Sequence, residues 1–72
     1  MSYTREEKVI NGRTFALDID SVRDQNEREL WLASVTVVGR ETLKGGSWSV
    51  GPCLSEGEAR LRAVETMQQW KS

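Results

Sequence analysis

Cys53, Ser55, the Asp18-Ile19-Asp20 triplet and the loop Gly39 to Ser47 contain the residue types that could do chemistry in this chain. Cys53 stands just ahead of a predicted helix start, a kind of position that reactive thiols occupy. A thiolate nucleophile also needs a base, and the 72 residues include no histidine. The expected role of Cys53 is therefore a small, partly buried side chain. Ser55 has no triad partners and suits a helix cap. Asp18 and Asp20 fall on one face of a predicted strand and could approach a hard cation, but two ligands are too few. A solvated face with Arg23 or Arg28 nearby is the expected state. One thiol without histidine cannot supply a zinc ligand set. The loop Gly39-Arg40-Glu41-Thr42-Leu43-Lys44-Gly45-Gly46-Ser47 holds the glycines, lysine and serine of a phosphate loop in the wrong order. There, glycine, lysine and Ser/Thr must open a helix so that N–H groups and the lysine converge on phosphate. A hairpin connection is expected instead. No catalytic residue, metal or cofactor is expected, and the chain is read as a non-enzyme.

The elements that carry these residues follow from periodicity. Thr14–Asp20 alternates, with Phe15, Leu17 and Ile19 on one side, as in a half-buried strand. Ser21–Arg28 is polar and reads as a loop. Glu29–Val38, rich in valine with Trp31 and Thr36, reads as the central strand. Ser47–Val50 alternates again, and Gly51-Pro52 is expected to stop it, since proline lacks a ladder donor. Ser55-Glu56-Gly57-Glu58 matches a capping box, with Leu54 and Ala59 placed for a hydrophobic staple. Beyond it Ala59, Ala63, Met67 and Trp70 fall on one helical face with Val64 beside them. Arg60 lies within that stripe and is expected to extend along its edge to solvent. Glu58 and Arg62 form an i,i+4 pair, and Leu61 falls on the polar face.

The first ten residues admit two readings. Asn11-Gly12 is a hairpin signal that would make Lys8–Ile10 a strand. Thr4-Arg5-Glu6-Glu7 also matches a capping box, with Gly12 ending a short helix. The hairpin is adopted. The expected architecture is one α+β domain over residues 1–72, with residues 1–6 loosely ordered. An antiparallel sheet of three strands, or four with the hairpin strand, packs on one C-terminal helix. The expected core is Phe15, Leu17, Ile19, Trp31, Val35, Val37, Trp48, Val50, Ala59, Ala63, Met67 and Trp70.

Ten basic and eleven acidic residues give a formal charge of −1, without the basic excess usual in nucleic-acid binders. No apolar run approaches the ~18–20 residues that span a bilayer. The opening residues are too charged for a signal peptide, so the expected compartment is the cytoplasm. The single cysteine, Cys53, rules out a disulfide within the chain.

Gly51-Pro52-Cys53-Leu54-Ser55-Glu56-Gly57-Glu58-Ala59-Arg60, with Ala63 one turn on, resembles the third-strand turn and helix start of the double-stranded RNA-binding domain. The resemblance covers roughly residues 15–70 and implies the same strand–strand–strand–helix order. In that family, lysines at the helix start grip phosphates across a groove. Here Glu56 and Gly57 stand at two of those positions and only Arg60 keeps the charge. The family's first helix has no clear counterpart. The strand–helix order also resembles small antitoxins that block toxin ribonucleases.

One helix covers one face of such a sheet. Trp31, Ala33, Val35 and Val37 are assigned to the helix side, which turns Leu30, Leu32, Ser34, Thr36 and Val38 outward. A chain this short buries only ~60% of its unfolded surface, so added buried area from a partner is a route to stability. The expected function is a small protein-interaction module, self-associating as a homodimer or docking a protein partner. The candidate contacts are Leu30, Leu32, Ser34 and Thr36, with Leu61 as a second contact point. The alternative is a small regulatory nucleic-acid binder using Arg5, Arg13, Lys44, Arg60, Arg62 and Lys71.

Overall fold

Asn11 and Gly12 reverse the chain with positive φ angles of 54° and 79°, the conformation of a two-residue hairpin turn. In the computed structural model, which describes residues 3–40 and 42–70, that turn joins β1 (Tyr3–Ile10) to β2 (Arg13–Arg23). β3 (Glu29–Val37), β4 (Ser47–Cys53) and α1 (Glu56–Gln69) follow. The four strands form one antiparallel sheet in the order β1-β2-β3-β4, so the fold is α+β with the hairpin strand included. The helical alternative for the N-terminal segment is not adopted by the chain. Residues 3–6, expected to be loosely ordered, pair with Asp20 through Leu17. Met1 and Ser2 lie outside the described residues.

Two strand boundaries correct the sequence reading. β2 runs on through Ser21, Val22 and Arg23, where the polar sequence predicts a loop. Ser21 lies opposite Trp31 on the helix side and is buried, while Val22 pairs with Leu30 on the other face. The chain then turns at Asp24, whose carboxylate accepts from the N–H of Asn26 at 2.8 Å and of Arg28 at 2.9 Å. β4 does not stop at Gly51-Pro52 but continues to Cys53, which pairs with Trp31 past a register shift. β4 is an edge strand, so proline's missing N–H costs no ladder bond there. Gly51 has φ +114°, and a Cβ on it would lie 2.8 Å from the Trp31 carbonyl oxygen.

The core lies between the sheet and α1. Phe15, Leu17 and Ile19 stand opposite Val37, Val35 and Ala33 and are almost fully buried. Ala59, Ala63 and Met67 bring the helix down on them. Trp31, Trp48, Val50 and Trp70 pack around this cluster, so all twelve expected residues join one core and the chosen face of β3 is the buried one. Cys53, expected to be small and partly buried, belongs to that core and is buried. Phe15 meets the rings of Trp48 and Trp70 edge-on at 6.4 and 6.2 Å. The Trp48 indole N–H donates to Thr66 Oγ1 at 2.8 Å, and that of Trp70 to the Gly45 carbonyl at 2.9 Å.

At the helix start, Ser55 Oγ accepts from the Glu58 N–H at 3.1 Å. The Glu58 carboxylate accepts from the Leu54 N–H at 3.1 Å, completing the expected box one residue earlier than usual. The staple does not form, because Leu54 is 75% exposed. Ser55→Ala is expected to lower the unfolding free energy by ~1 kcal/mol. Urea melts followed by tryptophan fluorescence check this; equal midpoints would remove the cap from the list of stabilising contacts.

Candidate interaction surface

β1 to β4 present two faces of opposite character. On the helix side, β2 and β3 are apolar, and β1 contributes Thr4, Glu6, Lys8 and Ile10 at the margin. Arg60, the charged residue in the helix stripe, reaches that margin and donates to Glu6 at 2.7 Å. The Arg60 guanidinium hydrogen-bonded to Glu6 holds this carboxyl below the usual carboxylate range, and Glu6 in turn raises the Arg60 pKa. Lys8 stands 4.0 Å from the same carboxylate. Arg60 is thus an ion-pair partner rather than a chain running free to solvent.

The opposite face has no helix over it. Its cross-strand rows are Tyr3–Asp20–Leu32, Arg5–Asp18–Ser34–Ser49 and Glu7–Ala16–Thr36–Ser47, with Val22 beside Leu30. Leu30, Leu32, Ser34 and Thr36 therefore share this bare face. Ser34 is exposed, whereas Leu30, Leu32 and Thr36 are half-covered by their neighbours. Leu61 is 63% exposed on α1, on the other side of the molecule, and is not brought together with the four sheet residues.

The most accessible apolar side chains of the sheet are two that the sequence pattern does not single out. Tyr3 is 61% exposed and Val9 71%. Both lie on the outer face of the edge strand β1, six positions apart. The signal that could have found them is the Asn11-Gly12 turn, which forces the preceding residues into a strand with Tyr3, Arg5, Glu7 and Val9 on one side. Between them Arg5 lies 3.5 Å from Asp18, and the Tyr3 hydroxyl donates to the same carboxylate at 2.5 Å. That hydrogen bond to Asp18 raises the Tyr3 pKa, because a phenolate would face a carboxylate. The partner of Asp18 is thus Arg5, not the expected Arg23 or Arg28; Arg28 pairs with Asp24 at 3.2 Å.

Among the described residues, three of the basic side chains expected to serve nucleic-acid binding sit in ion pairs. Arg5 faces Asp18, Arg60 is held by Glu6, and Arg62 lies 3.3 Å from Glu58. Arg13 stacks over the Trp70 ring at 4.7 Å. Lys71 lies outside the described residues. At that end an open groove of about 300 Å³ runs between Arg13, Thr14, Val38, Arg40 and Trp70. Among the described residues its lining carries two guanidinium groups but neither a carboxylate nor a nucleophile matched to a base.

Among the described residues no three His, Cys, Asp or Glu side chains are grouped to hold a metal ion, and no helix is long and apolar enough to cross a membrane. Comparison with family models, curated proteins and solved structures gives no match for this chain.

Proposed function

We propose that this chain works by binding polypeptide and that it self-associates through the part of the sheet its helix leaves open, the outer face or the β1 edge. The observation that carries this reading is the one-sided cover of the sheet. α1 seals the inner face, while the outer face and the β1 edge present Tyr3, Val9, Leu30 and Leu32 with charged and short polar residues between them. Exposed apolar residues rimmed by polar ones suit a protein contact better than a reaction site. The small core supports the same reading, because a second chain adds buried area that 72 residues alone cannot. The engaged states of Ser55 as a cap and Cys53 as a core residue favour binding over catalysis. An unbridged cysteine also fits the cytoplasm as its setting.

Sedimentation velocity from micromolar to near-millimolar protein tests the proposal. The expected result is a concentration-dependent shift from monomer toward dimer. A purely monomeric species over that range would overturn self-association.

A further inference from the structure

We infer that the partner is a second copy of this chain, joined edge to edge through β1 in an antiparallel register centred on Glu6, which fuses two four-stranded sheets into one of eight strands. This rests on the self-association proposed above and names its surface.

The free edge sets which backbone groups are available. A two-residue turn bonds Ile10 to Arg13, and antiparallel pairs alternate from there between bonded and non-bonded. Ile10, Lys8, Glu6 and Thr4 thus spend their N–H and C=O groups on β2. The Thr14 carbonyl agrees with this: it accepts from the Val38 N–H on β3 at 3.0 Å, so the groups of its β1 neighbour Val9 point the other way. Tyr3, Arg5, Glu7 and Val9 therefore direct their backbone donors and acceptors out of the sheet. A strand edge of this kind, with no described strand paired to it, is a template for another strand.

A two-fold axis normal to the sheet keeps the two helices on the same side and pairs odd-numbered residues with odd. Three registers then use most of β1. Centring on Arg5 sets Arg5 against its own copy and pairs only five residues of the strand, counting from Tyr3. Centring on Glu7 sets two exposed Glu7 carboxylates face to face. Centring on Glu6 pairs Arg5 of each copy with Glu7 of the other, and Tyr3 of each with Val9 of the other. Two opposite-charge pairs and two apolar pairs result, each of a kind that stabilises adjacent strands. Tyr3 and Val9, the exposed apolar side chains at the two ends of β1, are covered by each other. The single like-charge contact is Glu6 with its copy on the inner face, and each Glu6 is already neutralised by its own Arg60 at 2.7 Å. The neutralising contact comes from a different element, the helix, so it survives the pairing.

The test is charge reversal with mixing, read by sedimentation on the full chain. Glu7→Arg and Arg5→Glu each replace two attractive contacts by two repulsive ones. Each variant alone is expected to self-associate on the order of 10-fold more weakly than the original chain. An equimolar mixture of the two is expected to recover the dimer, since every cross-strand pair is then again of opposite charge. Leu32→Lys, on the bare face away from the edge, is expected to leave the dimer unchanged. Near-UV circular dichroism reports whether each variant is folded, and Val9→Lys replaces either charge variant that is not, with the same loss expected. A dimer indifferent to these β1 changes, or one dissolved only by Leu32→Lys, overturns the edge register while self-association stands. A dimer weakened by both charge variants but not recovered on mixing overturns the Glu6-centred register. An original chain that stays monomeric throughout overturns both proposals.

Discussion

Replacing Phe15 by alanine is expected to lower the unfolding free energy by ~3–5 kcal/mol, a large share of what a domain of this size possesses. Phe15 is 1% exposed and stands at the point where three parts of the fold meet. Its ring lies edge-on to Trp48 of β4 and to Trp70 at the end of α1. Across the sheet it faces Val37. Truncation removes buried apolar area and leaves a cavity lined by rigid indoles, each anchored by its own N–H bond to Thr66 or Gly45, so the site cannot collapse. Such Phe→Ala changes cost ~3–5 kcal/mol. A domain of this size has roughly 4–10 kcal/mol in total, and one without an internal disulfide sits toward the low end. Urea titration with tryptophan fluorescence reads the result directly, since two of the three indoles border the cavity. A midpoint close to that of the original protein would mean that Phe15 does not link the two tryptophans.

The second large effect is expected at Gly46. A Cβ placed there would lie 2.0 Å from the carbonyl oxygen of Arg40 and 3.0 Å from that of Leu43. Both are backbone atoms, and neither can rotate aside. The same residue is bonded at both its polar groups. Its N–H donates to Leu43 at 2.9 Å, and its carbonyl accepts from the Val37 N–H at 2.8 Å. Gly46→Ala must therefore reshape the connection between β3 and β4, at about 3 kcal/mol, the upper part of the range for overpacking. Gly57→Ala is the control. It lies in the first turn of α1 with nothing within 4 Å of the added carbon, so it is expected to stabilise by ~0.5–1 kcal/mol. Melting the two variants side by side separates a steric demand for glycine from a merely tolerated one. Equal stabilities for the two would contradict the loop geometry.

Several features are legible in the amino-acid sequence alone. The alternation of Phe15, Leu17 and Ile19, the apolar run around Val35, and the capped stripe of Ala59, Ala63 and Met67 each report a local periodicity. A side chain's face within a strand or helix is fixed by chain geometry alone. The bare face carrying Leu30, Leu32, Ser34 and Thr36 follows from the same parity. β1 was only half legible. Its inner residues Thr4, Glu6 and Lys8 are polar because the helix meets them through Arg60 rather than through an apolar stripe. An edge strand held by a charge pair leaves no hydrophobic period to read.

By itself, then, the amino-acid sequence determined the order of elements from β2 onward, the helix start at Ser55 and which side of β2, β3 and β4 is buried, because these depend on neighbours a few residues apart. Only the tertiary structure decided that β2 extends through Ser21, that β4 continues past Pro52, and that Asp18 pairs with Arg5 across a separation of 13 residues. It also decided that Tyr3 and Val9 stand exposed on an open edge. These depend on which distant segments lie side by side. Strand pairing sets that, through backbone hydrogen bonds that every residue type but proline can donate and accept, and that therefore leave no mark in residue identity.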